Sequence, residues 1–309
     1  MSFAPRMAFV AHRFTLGLRM ARPGFLSITA VGCLVGIASA QAAGGVSGAH
    51  ALLTLLLALL LHAAANMLND HADALNGADE ANTQGLFPFT GGSRLVQRGV
   101  VHARDMRNLA LVLLAPALLG GLWLAWHSGP ALVLVGLAGL LLGWAYSMPP
   151  LALMSRGLGE LAVGLAWGLM VVGADYVQRG HFALAPLAAG CSYALLIANI
   201  LIANGFPDAV PDALVGKRTL VVRLAPERAA VLYLALALLA HGGLAAFVAL
   251  GLLPTPMLWA LASLPLSLAG ALLLMRHARS PVRLRPALVL GIAAALLHGL
   301  GMAAGFWMA

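Results

Sequence analysis

Two short stretches hold most of the acidic side chains of this chain. The first, NDHADALNGAD, sets Asn69, Asp70, Asp73, Gly77 and Asp79 in the pattern N-D-x-x-D-x-x-x-G-x-D. The second runs through Asn204, Asp208, Asp212, Gly216, Lys217 and Thr219 as N-x-x-x-D-x-x-x-D-x-x-x-G-K-x-T. Of 10 acidic residues in the whole chain, six (Asp70, Asp73, Asp79, Glu80, Asp208 and Asp212) lie in these stretches. Carboxylates crowded in an apolar chain repel one another, and divalent cations relieve that repulsion best. Mg²⁺ commonly binds through one or two carboxylates plus substrate phosphate oxygens. Two facing sets therefore suit two Mg²⁺ ions around one diphosphate, with Asp70, Asp73, Asp79, Asp208 and Asp212 as metal ligands. Asp73, Asp208, Asp212 and Lys217 are the expected catalytic residues. Lys217 and Arg218, with Arg94 and Arg98 from the segment after the first motif, offer positive charge to the same anion. The run Gly91-Gly92-Ser93 lets backbone approach it closely.

The elements that position these groups follow from hydropathy. Hydrophobic residues make up 61% of 309 positions and charged ones 9%, against about a quarter charged in soluble globules. The mean hydropathy is +0.94. The chain is therefore expected to be an all-α polytopic membrane protein, because Leu, Ala and Gly favour helices over a barrel. Apolar runs long enough to span a bilayer fall at 24–43, 49–68, 108–127, 130–147, 158–177, 182–204, 229–250, 255–275 and 287–308, predicting nine transmembrane helices. Links 127–130 and 252–255 read as tight hairpins, and the Gly-rich fifth helix as one that packs closely on its neighbours. No cleavable signal peptide is expected, since Arg6, Arg13 and Arg19 interrupt the first twenty residues. Cys33 and Cys191 read as small buried thiols rather than a disulfide.

Nine spans put the N-terminus and loops 2–3, 4–5, 6–7 and 8–9 on one face. That face carries 17 of the 18 basic residues, with only Arg179 opposite, so it is expected in the cytoplasm. The +8 charge thus has a topological origin and implies no nucleic acid. Both acidic motifs fall on this face, at the ends of helices 2 and 6. Their separation by four helices suggests a single domain over 1–309 made of two similar halves, about 1–155 and 156–309. On a helix, Asn69 and Asp73 share a face, as do Asn204, Asp208 and Asp212. Pro207 and Pro211 predict that helix 6 stops near Gly205, with Asp208 and Asp212 on a kinked or restarted turn. Asp79, beyond Gly77, is expected on a loop that folds back.

These residues resemble the UbiA superfamily of intramembrane prenyltransferases, and within it the 1,4-dihydroxy-2-naphthoate (menaquinone) branch. The likeness lies in the first motif, in Asp212–Leu224, in Arg22-Pro23, in Gly91-Gly92-Ser93-Arg94 and in Tyr146-Ser147-Met148-Pro149-Pro150. Two positions depart from relatives. Many have Tyr-x-x-x-Lys after helix 4, where Tyr146 is followed at that spacing by Pro150, with Arg156 the nearest cation. Pro207 stands where naphthoate enzymes often carry arginine. The resemblance implies a helical bundle around a central cavity that opens to lipid and is capped by cytoplasmic loops of the inner membrane. It implies Mg²⁺-dependent transfer of a polyprenyl group from prenyl diphosphate to an aromatic acceptor in lipid-quinone biosynthesis. Arg22, Arg94, Arg98, Asn69, Asn204, Lys217 and Arg218 would then bind diphosphate, and Tyr146 (or Trp144) would stabilise the allylic cation.

Each residue also has a plainer reading. Arg22 and Tyr146 suit a membrane interface as well as a ligand, and the arginines at 276, 279, 283 and 285 read as topology and headgroup contacts. Glu160 is either a cavity acid or a helix-end residue. His71 is a poor Mg²⁺ partner. Within the same fold, a different acceptor or terpene cyclisation remains open. A secondary transporter would put its acids nearer the midplane, and lipid-phosphate transferases resemble one contiguous acidic block rather than two.

Overall fold

The computed structural model describes residues 15–83 and 85–309, and Arg6 and Arg13 of the basic face lie outside them. Among the described residues, nine apolar helices build the bundle: α1 Pro23–Ala42, α2 Gly48–Asn76, α3 Ala103–Ser128, α4 Ala131–Ser147, α5 Gly159–Arg179, α6 Leu184–Leu214, α7 Pro226–Ala249, α8 Thr255–His277 and α9 Arg285–Trp307. Eight are long and apolar enough to cross a membrane; α4, with 17 residues, is shorter than the others. Eight of the nine expected spans are therefore matched in order and position, and the ninth expected span, 130–147, is occupied by the shorter helix α4.

Helix ends follow local chemistry. Pro23 opens α1, where its missing N–H costs nothing. The Ser47 hydroxyl accepts from the His50 N–H at the start of α2. Gly77, at φ 81°, stops α2 and lets the chain restart as the one-turn helix Ala78–Ala81. Asp79 thus sits on a helical turn rather than on an open loop. A reciprocal pair between His102 and Asp105 caps α3. The link between α3 and α4 is only Gly129-Pro130, the tight hairpin expected.

Helix α6 corrects the sequence reading. It runs unbroken from Leu184 to Leu214, with Pro207 and Pro211 inside it. Two prolines deprive the Ala203 and Pro207 carbonyls of their usual helical donors, yet α6 is the most buried span and its neighbours hold it in line. Asp208 and Asp212 therefore stay one turn apart on a helix. The first part of α8, Thr255–Ser263, is wound as a 3₁₀-helix before it relaxes to α. Cys33 is buried as expected, but Cys191 is exposed on α6.

Helices α1, α5, α6 and α9 share the main core, with Val35, Val171, Tyr193, Ile197, Ala295 and Met302 fully enclosed. The α5–α6 contact is the close glycine packing anticipated: Gly190 faces Gly168 across it. A cavity of ≈ 1060 Å³ lies between α1 to α6, and α7 to α9 contribute no lining residue.

A Cβ added to Gly190 would lie 3.1 Å from the Gly168 carbonyl oxygen, whereas one added to Gly242 meets nothing within 4 Å. Gly190→Leu is expected to destabilise the bundle by about 1–3 kcal/mol through overpacking. Thermal unfolding in detergent checks this, with Gly242→Leu as a control that leaves the midpoint unchanged.

Candidate active site

One lysine joins the last turns of α2 and α6. Lys217 Nζ lies 2.9 Å from Asp73 Oδ1 and 3.5 Å from Asp212 Oδ1. Burial alone would lower the lysine's pKa, but Asp73 and Asp212 outweigh it and hold Lys217 above its ordinary value. The ammonium is brought there by the turn after α6, where the Lys217 N–H donates to the Asp212 carbonyl. Gly216, at φ 76°, supplies that turn. On the α2 side, Asn69 and Asn76 donate to the two oxygens of Asp73 at 3.1 Å each. The predicted shared face of Asn69 and Asp73 is thus realised as a hydrogen bond.

The segment between α2 and α3 is stitched to the same carboxylates. Gly91 N–H donates to Asp208 at 3.4 Å, and Ser93 N–H donates to Asp70 at 2.9 Å. Asn82 donates to Asp208 at 2.6 Å, a second tie between the motifs. Gly92, at φ 69°, has to be glycine: a Cβ there would lie 2.6 Å from Asp79 Oδ2 and 3.0 Å from Asp70 Oδ1. Burial, and after it the neighbouring charges of Asp73 and Asp70, push the Asp79 carboxyl up to about 7.

Of the residues singled out in the sequence, Arg22, Asn69, Asp73, Asp79, Tyr146, Asn204, Asp208, Asp212 and Lys217 line the cavity. Asp70 stands behind it, 3.9 Å from the Arg22 guanidinium. Arg94 faces inward to the loop, donating to the Asp79 carbonyl and lying over the Phe87 ring, so it braces the loop instead of facing the cavity. Arg98 and Arg218 are exposed and do not line it. Glu80 is exposed too, and His71 points to the Ala103 carbonyl. Arg156 is spent on the Pro150 carbonyl at 2.6 Å and does not stand in for the absent Tyr-x-x-x-Lys lysine. Lys217 lies within electrostatic reach of Tyr146 instead.

Asn82, Thr90 and Met154 were not legible as site residues. Asn82 and Thr90 lie in the right stretch but outside any spacing pattern. Met154 receives the Asn69 amide at 3.0 Å and carries no polar signature at all. Glu160 does line the cavity and is buried there.

The donor set fits a divalent cation shared with a ligand. Asp73, Asp79, Asp208 and Asp212 present carboxylate oxygens to one cavity. Asp70 Oδ1 and Asn204 Oδ1 are buried without a hydrogen-bond partner. Among the described residues, no three His, Cys, Asp or Glu side chains form a ready-made cage.

A family model described as the UbiA prenyltransferase family matches residues 29–290. A 1,4-dihydroxy-2-naphthoate octaprenyltransferase of Mycobacterium tuberculosis is 34% identical over 225 residues, 72% of this chain and 73% of that protein. An Escherichia coli protein of the same name is 29% identical over 301 residues, 94% of each chain. In fold, the chain is similar to a UbiA homologue from Archaeoglobus fulgidus solved with GPP and Mg²⁺. The TM-score is 0.62 at 20% identity, covering 93% of this chain and 99% of that one.

Lys217 holds two carboxylates that a cation would otherwise serve. Lys217→Ala is therefore expected to bind Mg²⁺ more tightly than the wild type and to gain more thermal stability from it. Melting in detergent with and without Mg²⁺ measures this, and equal shifts in the two proteins would detach Lys217 from the acid cluster.

Proposed function

This chain belongs to the UbiA prenyltransferase family, and from that premise we propose that it moves a polyprenyl group from its diphosphate onto a naphthoate-type quinone precursor, with Mg²⁺. The observation that carries the reading is Lys217 bridging Asp73 and Asp212 at the polar end of a cavity whose remaining walls are mostly apolar. The named naphthoate octaprenyltransferases among its relatives support the acceptor class. The concentration of basic residues on the motif-bearing face supports a cytoplasmic mouth in the inner membrane. The matching positions of the motifs on α2 and α6 support the view of two similar halves.

In this reading Asp73, Asp79, Asp208 and Asp212, with Asn69 and Asn204, hold the metal and its diphosphate. Bound Mg²⁺ would neutralise the negative charge that builds on the diphosphate as it leaves. Lys217 and Arg22, both facing the cavity, add fixed positive charge to the same end. Asp70 keeps Arg22 in place, and the Arg22 guanidinium also donates to the Phe89 carbonyl at 3.3 Å. The polyprenyl tail lies along the apolar walls of α2 to α5. Those walls exclude water from the electron-poor allylic carbon, and the Tyr146 ring is the nearest motif residue able to offer it a π face.

Purified protein with Mg²⁺, a labelled prenyl diphosphate and a panel of acceptors is expected to prenylate 1,4-dihydroxy-2-naphthoate in preference to 4-hydroxybenzoate. Asp73→Ala or Asp208→Ala should lower the rate by about 10²-fold or more while the protein still folds into the membrane. EDTA should stop the reaction. Product analysis by mass spectrometry is the measurement, and turnover that survives both changes refutes the metal–diphosphate reading.

A further inference from the structure

Glu160 is the one carboxylate lining the cavity that belongs to neither acidic motif, among the described residues. It sits in the first turn of α5 and is 8% exposed. None of the ion pairs among the described residues includes it. The other acids of the cavity have partners: Asp73 and Asp212 take Lys217, Asp208 takes Asn82, and Asp79 takes Gln97 at 3.5 Å.

The surroundings connect Glu160 to the diphosphate end without merging it into that end. Its neighbour Gly159 packs on Met154 and on the Tyr146 ring, where an added Cβ would lie 3.2 and 3.3 Å away. Met154 in turn receives the amide of Asn69, which also donates to Asp73. Tyr146 lies within electrostatic reach of both Lys217 and Glu160. A ligand bound between Tyr146, Met154 and Glu160 would therefore border, through Met154 and Asn69, the end of the cavity where Asp73 and Lys217 stand. The carboxylate lines the cavity, outside both acidic motifs, and is paired with no lysine or arginine among the described residues.

Resting on the aromatic-acceptor reading above, we propose that Glu160 binds the acceptor's ring hydroxyl and takes its proton during transfer. The bond from the prenyl carbon to diphosphate breaks, and its electron pair leaves with the diphosphate. A ring π pair forms the new carbon–carbon bond. The oxygen–hydrogen pair becomes the π bond of a ring ketone, and the proton passes to the Glu160 carboxylate. Charge balances without an added oxidant or reductant. A carboxylate engaged by lysine or metal would be a poor recipient for that proton, whereas Glu160 has no such partner.

The test compares Glu160→Gln with the wild type on a series of phenolic acceptors of graded acidity. Equilibrium binding of an unreactive prenyl thiolodiphosphate in Mg²⁺ is measured alongside. Glu160→Gln is expected to turn over an ordinary phenol about 10²-fold more slowly and to bind the thiolodiphosphate as the wild type does. The deficit should shrink steadily as the acceptor hydroxyl becomes more acidic. Wild-type turnover in the variant, an equal deficit for every acceptor, or loss of thiolodiphosphate binding would each overturn the assignment. Wild-type protein that prenylates no phenol overturns the functional reading and this inference together, and is recognised without the variant.

Discussion

The polar end of the cavity is organised by the problem of keeping several carboxylates together at the end of an apolar bundle. One ammonium answers it in part. Lys217 reaches back from the turn after α6 to touch Asp73 on α2 and Asp212 on its own helix. Two parts of the chain far apart in sequence are thereby locked at one end of the bundle. The remaining acids are held by amides: Asn82 and Gly91 on Asp208, Ser93 on Asp70, Asn69 and Asn76 on Asp73. These donors stabilise the acids without cancelling their charge, and a cluster that is held yet still anionic is what a divalent cation needs.

The loop between α2 and α3 follows from the same requirement. It has to deliver backbone N–H groups to carboxylates, so no side chain can stand between. Gly92 satisfies that at the closest point, and Arg94 secures the loop from behind through the Asp79 carbonyl and the Phe87 ring. Arg285, from the start of α9, lies over Phe89 of the same loop. A glycine-rich, arginine-braced loop reads in sequence as a phosphate cradle. In the fold it is first a clamp on the acids.

Much of this was legible in residue order. The helix pattern, the hairpin at Gly129-Pro130, the close α5–α6 packing and the convergence of two acidic motifs follow from hydropathy, charge and spacing. What failed did so for physical reasons. Proline's helix-breaking tendency is a statement about chains that have water as an alternative partner. Inside a packed membrane bundle the neighbours decide, and α6 continues through Pro207 and Pro211. Charge near a motif was taken as charge in the site, yet Arg98 and Arg218 turn outward and Arg94 turns to its own loop. Spacing tells which residues share a helix face, but in a loop it does not tell which way a side chain turns. Met154 was out of reach for a different cause: a thioether accepting from Asn69 looks in sequence like any other apolar residue.

The unequal use of the helices has a functional logic. The cavity is walled by α1 to α6, while α7 to α9 pack outside it, bracing α6 and α1. Its lining runs along α5 from Glu160 to Val177, a rise of about 26 Å at 1.5 Å per residue. One end is ringed by carboxylates, asparagines and a lysine, and most of the rest by leucine, alanine, valine and glycine, with His62 and Trp167 among them. A molecule with a charged head and a long apolar tail has only one way to lie in such a space. Its head must meet the acids and its tail must run toward the far membrane face. The bond between head and tail then falls at the boundary, where Tyr146, Met154 and Glu160 stand. Charge can leave toward the polar end while the carbon left behind stays among side chains that exclude water, so the division of the cavity itself selects where the reaction occurs.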